Sequence, residues 1–359
     1  MIASKRNTLR PLIESANGIH LSVYLVNNGD LIYVKAQLRE ALRQAQDCLL
    51  PVMNNEECSR FMEPLDSLLK DSRMFKQMKG NIGIFRNQDS FRMINIPVAV
   101  EHLCQIATSF HIKPLLKWLQ SDQEFLLVGI DDQAARLYIG SQDSFKNLDS
   151  LIFPKSIETP EVVDLMNPWL KEWLSLIAKD FKPDLFFAGD KSLVRSFTEQ
   201  LNYSSAVQSP IFESFDPSNV GEACLAVRKL LKVEAQKAIE RSLQEFRFAE
   251  ADNRTRKNLF QIAKAVIQGR VRKLIVSDDL SIFGKIDKVS GGLAIHPCDL
   301  DHEDDDILDD LAQMVLSQGG EVVVASQDEI PKGRPILAIL DDEESSHETL
   351  HIPLINPVL

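Results

Sequence analysis

The sequence predicts an α/β chain in three successive parts, on three observations. Short apolar runs of strand length alternate with longer stretches whose apolar residues recur at helical spacing. Glycines and turn dipeptides fall between them. One charged helical pattern, from about Val220 to Ala251, is longer than a usual globular helix and so reads as a connector. The parts are 1–118, 119–252 and 253–359, each long enough to bury its own core.

In the first part an alternating strand around Ile19 to Val26 meets the turn signal Asn27-Asn28-Gly29-Asp30. A helix is predicted from about Val34 to Leu50, where Leu38, Ala41, Leu42 and Ala45 share a face and Pro51 ends it. A second helix, about Asn54 to Lys70, leads into a hairpin around Asn87-Gln88-Asp89. In the second part the apolar runs Phe125 to Ile130 and Ala135 to Ile139 flank the polar turn Asp131-Asp132-Gln133, again a hairpin signal. Residues 140–160 then read as a loop. Pro160 sits in the first turn of a helix whose face of Val163, Met166, Leu170, Trp169 and Trp173 packs on a sheet. The strand Leu185 to Ala188 stops at Gly189, and Asp190 caps a helix on which Leu193, Phe197 and Leu201 recur. The third part reads helix Asn258 to Gln268, strand Lys273 to Val276, helix Ile307 to Gln318, then strands Glu321 to Ala325 and Pro335 to Leu340. Gly319-Gly320 ends the last helix, and the tail from Asp341 reads as a flexible or strapped terminus.

With 44% hydrophobic and 26% charged residues over 359 positions, the composition is that of a globular protein and excludes a disordered one. No apolar run approaches a membrane span, and Met1 to Pro11 lacks the apolar core of a signal peptide, so a cytoplasmic protein with no membrane contact is expected. Five scattered cysteines without a CxxC pair read as reduced thiols. The net charge of -12 is uneven: Lys plus Arg against Asp plus Glu is 15 to 11 in the first part, 14 to 22 in the second and 11 to 19 in the third. Only the first part is basic, so any nucleic-acid contact is local.

Two strand-and-helix units, Pro183 to Leu193 and Gln268 to Asp279, carry a resemblance, together with Leu21 to Leu25, His111 to Leu116 and Gly319-Gly320-Glu321-Val322. In order and spacing these resemble the archaeo-eukaryotic release factor superfamily and its relative Pelota, most closely the bacterial group called family 3. The resemblance implies a mixed α/β N-terminal domain, a middle domain with a ribonuclease-H-like sheet and helices, and a C-terminal α/β sandwich similar to kink-turn-binding ribosomal proteins. It also implies a link to translation, with the ribosome or tRNA as partner. In release factors a Gly-Gly-Gln loop follows the first hairpin of the middle domain; its glycines let backbone approach the peptidyl-tRNA ester, where an amide helps place the attacking water. Here residues 141–160 contain no glycine and include Ser150-Leu151-Ile152-Phe153-Pro154-Lys155-Ser156. The Gly-Gly pairs at 291–292 and 319–320 lie elsewhere, and the codon-recognition motif Asn-Ile-Lys-Ser is absent.

No catalytic residue is therefore assigned, and no GxSxG, Cys-His pattern or phosphate-cradling glycine loop is present. RNA-binding candidates are Arg254, Arg256, Lys257, Lys264, Arg270, Arg272 and Lys273, in a window without an acid, and a second run of Lys70, Arg73, Lys76 and Lys79 interleaved with Met74, Phe75 and Met78. The first run also reads as a solvated helix face balancing the acidic remainder, and the second as a surface loop with anchored apolar residues. Phe153, Lys155 and Ser156 are the candidates for an altered loop. His296, Cys298 and His302, beside Asp299, Asp301 and Glu303, match no standard zinc spacing, so neither metal nor cofactor is expected. The eight acids from Asp299 to Asp310 read as a solvated insertion leading to a helix N-terminus. Asp131, Asp132, Asp184 and Asp190 lie near strand ends, where a ribonuclease-H-like sheet can assemble acids for two-metal hydrolysis, but turn and capping roles account for three of them. Three readings stay open. One is a translation-associated binding protein without the Gly-Gly-Gln loop. The second is a hydrolase that releases peptide from stalled ribosomes through an altered loop. The third is a scaffold for a protein partner, unrelated to RNA, favoured by the acidic total charge and the long helix.

Overall fold

The computed structural model describes residues 6–14, 18–71, 74–75, 78, 80–96, 98–121, 124–141, 144–155, 159–177, 183–201, 203–207, 209–297 and 304–341. These form two compact units, one of Met1–Pro11 with Trp118–Ala238 and one of Leu12–Lys117 with Ile239–Leu359. Mixed α/β structure fills both.

After α1 (Arg6–Ile13), the strands β1 (His20–Leu25), β2 (Asn81–Arg86), β3 (Phe91–Ile96) and β4 (Leu103–Ala107) make an antiparallel sheet of order β3-β2-β1-β4. Asp30 starts α2 (Leu31–Leu49) three residues before the expected Val34, because its carboxylate accepts the Ile32 N–H at 2.8 Å. The reciprocal box of Asn54 and Glu57 starts α3 (Asn55–Lys70). Leu38, Ala41 and Ala45 of α2 and Phe61, Met62 and Leu65 of α3 close over Leu21, Val23, Ile82 and Ile84 of the sheet. Gln37 is buried among them because its amide both donates to Val26 O (2.8 Å) and accepts from Val26 N (2.9 Å), sealing the end of β1. β4 escapes sequence reading: Leu103-Cys104-Gln105-Ile106-Ala107 is short, and its buried polar Gln105 breaks the apolar alternation.

A helix α4 (Lys113–Ser121) leads to β5 (Phe125–Ile130), β6 (Ala134–Gly140), β7 (Phe145–Ile152), α5 (Thr159–Ile177), β8 (Asp184–Ala188), α6 (Lys191–Gln200) and α7 (Val220–Ala251). The sheet has order β7-β6-β5-β8, with β5 and β8 parallel. Every residue of β5 is buried because both of its faces are covered. Leu126, Val128 and Ile130 pack with Val163, Met166 and Leu170 of α5 and Phe197 of α6, while Phe125 and Leu127 pack with Ala223, Cys224, Val227 and Leu231 of α7. The division between the two units falls within α7.

The remaining elements are β9 (Thr255–Arg256), α8 (Leu259–Ile267), β10 (Val271–Ser277), β11 (Phe283–Ile286), β12 (Leu293–Ile295), β13 (Asp305–Asp306), α9 (Ile307–Ser317), β14 (Glu321–Ala325) and β15 (Ile336–Leu340). One sheet has order β14-β10-β15-β9, and a small antiparallel one has order β12-β11-β13. Phe246 and Ala249 of α7 pack on Ile275, Val323, Leu337 and Ile339.

Two glycines test this geometry differently. At Gly284, with φ +152°, an added Cβ would lie 2.0 Å from the Ala294 carbonyl oxygen, a fixed part of the β11–β12 ladder. Gly319 also has positive φ, +86°, but faces open space. Gly284→Ala is therefore expected to cost about 3 kcal/mol or more and Gly319→Ala about 1 kcal/mol. Urea denaturation of both variants measures the difference, and equal losses would contradict the β11–β12 register.

Candidate functional site

Residues 144–155, the described centre of the segment expected to be a loop, are not a free loop. The chain from Phe145 to Ile152 is strand β7, paired with β6 from Gly140 opposite Phe145 to Ala134 opposite Ile152. A bulge between Asn147 and Asp149 leaves Leu148 as the extra residue and turns Asp149 onto α5. There Asp149 Oδ2 accepts both indole N–H groups, Trp169 Nε1 at 2.8 Å and Trp173 Nε1 at 2.9 Å, from residues one helical turn apart. The Trp169 and then the Trp173 hydrogen bond hold the Asp149 carboxyl below the usual carboxylate range. Sequence reading took the two indoles as part of an apolar face and could not see that their N–H groups need an acceptor. The polar run Lys146 to Ser150 concealed the strand.

Of the altered-loop candidates, Phe153 is buried in the core under α5, with its N–H on Gln133 O at 2.8 Å. Lys155 is exposed in the following turn, and Ser156 lies outside the described residues. The segment is thus an edge strand anchored at Asp149 and Phe153, a different object from an extended glycine loop.

The basic window 253–277 is largely neutralised by acids from other elements. Lys273 is only 8% exposed, with Nζ 2.6 Å from Glu245 on α7 and 3.1 Å from Glu321 on β14. This corrects its reading as an RNA contact: the ammonium is already spent on two carboxylates. Against the burial that would raise it, the hydrogen bonds from Lys273 and Arg272 hold Glu245 below its ordinary value. Lys257 pairs with Glu250 over the ring of Phe246, Arg254 pairs with Asp252, and Arg256 donates to the carbonyls of Asn253 and Thr255. Lys264 and Arg270 are exposed and form no ion pair among the described residues. Lys264 follows Phe260 by one turn of α8, so the cation and the 48% exposed ring share the solvent face. In the other run Lys70 is exposed at the end of α3, while Arg73, Lys76 and Lys79 lie outside the described residues. Phe75 is buried and Met78 packs against the same core.

From Asp304 to Asp310 the acid-rich segment overturns its reading as a solvated insertion, while Asp299, Asp301 and Glu303 lie outside the described residues. Asp304, Asp305, Asp306, Asp309 and Asp310 are all buried. Asp305, Asp306, Asp309 and Asp310 each find a partner in residues 108–113, almost two hundred positions earlier. Asp305 accepts the Thr108 N–H at 2.9 Å and the Thr108 hydroxyl; Asp310 accepts from Ser109 Oγ at 2.7 Å; Asp309 accepts the Ile112 N–H at 2.9 Å. Asp306 caps α9 through the Leu308 N–H and binds Lys113 Nζ at 2.7 Å. His296 Nδ1 lies 2.8 Å from Asp304, while Cys298 and His302 lie outside the described residues. Among the described residues no group of three or more His, Cys, Asp or Glu side chains can hold a metal. Asp131 accepts the Gln133 and Ala134 N–H groups of its turn, and Asp190 those of Ser192 and Leu193, as their turn and capping roles require.

No family model matches the chain, and neither does any curated protein. Among solved structures the chain is similar to an archaeal translation termination factor, aRF1, at 14% identity, covering 94% of this chain and 98% of that one with a TM-score of 0.26. It is similar to Archaeoglobus fulgidus Pelota at 17% identity over 72% of this chain and 79% of that one, TM-score 0.36. It is also similar to archaeal Pelota in a model of the ribosome-bound protein with ABCE1, at 16% identity over 73% and 72%, TM-score 0.44.

The Asp149 anchor has a pH signature. Its folded-state pKa is depressed, so its contribution is present above the unfolded carboxylate value of about 3.9 and is lost as pH falls through the folded value. Indole fluorescence should therefore change below about pH 4 in the wild type and not in Asp149→Asn. Asp149→Ala should cost about 1–2 kcal/mol, since the carboxylate is partly solvated. An unchanged acid transition in Asp149→Asn would remove Asp149 as the anchor.

Proposed function

We propose that the protein is a translation-associated, release-factor-like binding protein that engages the ribosome or tRNA without hydrolysing peptidyl-tRNA by a Gly-Gly-Gln loop. The observation that carries this reading is β7: at the place where the resemblance calls for a glycine loop, the chain forms a bulged edge strand pinned to α5. Such a strand offers no glycine backbone to approach an ester. The order of the strand-and-helix motifs supplies the link to translation, and the named structural relatives, a termination factor and ribosome-bound Pelota, are its context only.

In this reading the three parts 1–118, 119–252 and 253–359 are separate domains, and the protein is cytoplasmic; among the described residues no helix is long and apolar enough to cross a membrane. The contact surface is the outer face of α8 with its following turn, where Phe260, Lys264 and Arg270 are available. The cations neutralise phosphates and the ring offers a stacking surface.

Sedimentation with ribosomes at low salt tests the binding. The protein should co-sediment, and Lys264→Glu with Arg270→Glu should weaken binding about tenfold or more and flatten its log–log salt dependence by about 1.5. A protein that neither co-sediments nor binds tRNA overturns the reading. Release of labelled peptide from stalled ribosomes, abolished by replacing residues 150–155, would favour the hydrolase; a ribonuclease-resistant protein complex without ribosomes would favour the scaffold.

A further inference from the structure

The buried acids are unequally supplied with positive charge. Asp306 has the Lys113 ammonium, and Asp304 has a hydrogen-bond contact with the His296 ring. Asp309 has the Ile112 N–H and the Gln313 amide, with His111 Nδ1 3.8 Å away. Asp305 accepts from the Thr108 N–H and hydroxyl and the Ser109 N–H, and Asp310 accepts from Ser109 Oγ; neither has an ion pair among the described residues, and their carboxyl groups meet each other. Two carboxyls in hydrogen-bond contact without a cation require a proton between them.

The geometry points to a proton-held latch in which Asp305 and Asp310 share one proton, and loss of that proton releases residues 108–113 from the start of α9. The other charged groups around the pair bias it in known directions. Asp306 and Asp309 on the same turn add negative charge, and Lys113 offsets it from α4. From β1, buried His20 lies near Asp305 and Tyr24 near Asp309, with the Tyr24 hydroxyl donating to His111 O at 2.6 Å. Lys288 reaches the His20 side, and Asp278 and Asp279 stand with Lys117 and Lys113 beyond. Burial, then the Asp305 carboxyl, push Asp310 well above the usual carboxylate range; burial also raises Asp305 and Asp309 and lowers His20.

The signs define a window. A carboxyl pair that holds its proton more tightly when closed favours the latch at lower pH and loses that support as pH rises towards the raised value. His20, whose closed-state pKa is depressed, supports the latch above the ordinary imidazole value and withdraws support as pH falls through the depressed one. The latch is closed between the two limits.

The amides of Thr108 and Ile112 report the latch, since Thr108 donates to Asp305 of the pair and Ile112, at the other end of the held segment, to the neighbouring Asp309. Their hydrogen-exchange protection factors, corrected for intrinsic exchange, are measured on the full chain from about pH 6 to about pH 9. Opening should increase by about tenfold per pH unit until the pair is ionised. In Asp310→Asn the carboxamide can donate to Asp305 and accept from Ser109 as the protonated pair does, so protection should become flat over the same range. Identical pH profiles in both proteins, or flat protection in the wild type, would overturn the latch. Should Asp310→Asn fail to fold, carboxyl carbon shifts of the wild type decide: one carboxyl of the pair still protonated at neutral pH is required, and two ionised groups in a closed structure refute it.

Discussion

The contact between Lys113 and Asp306 is the constraint on which the unit built from Leu12–Lys117 and Ile239–Leu359 depends. Asp306 caps α9, accepts the Ile282 N–H and binds the buried ammonium, so one carboxylate joins a helix start, the approach to β11 and the first residue of α4. The Lys113 ammonium also donates to the Leu280 carbonyl. α9 in turn buries Ile307, Leu308, Leu311, Ala312 and Val315. A buried ion pair is weak evidence of net stability against an apolar replacement, yet removing one member strands the other in a medium that solvates it poorly. The surrounding hydrogen bonds from Thr108, Ser109 and Ile112 make the position of each acid specific.

This explains which parts of the fold were legible in the sequence. α7 matches its expected bounds, both hairpins fall on their turn signals, and Asp190 caps its helix, because each of these is set by residues within a few positions. The acid segment was misread because its donors lie in Thr108 to Lys113, and a count of local charge cannot register them. The same limit applies to Lys273, whose carboxylates come from α7 and β14 and not from the window that looked free of acids. β11, β12 and β13 are too short to show a period.

The candidate site was legible in its departures more than in its members. The missing glycines of residues 141–160 could be read directly, but the strand that occupies the place depends on two indole N–H groups meeting Asp149 across a bulge. Lys264 and Arg270 emerge from the basic window as its exposed members without an ion pair among the described residues, and Phe260 joins Lys264 through helical spacing. The exposed cations and ring therefore concentrate on α8 and its following turn, whereas β7 serves the sheet.

Denaturant unfolding of Lys113→Met tests the central claim most directly, since methionine keeps the apolar stem and removes only the ammonium that faces Asp306. The account predicts a loss of about 3–5 kcal/mol at neutral pH, the cost of leaving a buried carboxylate unpaired. A loss below about 1 kcal/mol would show that Asp306 does not depend on this partner and would contradict it.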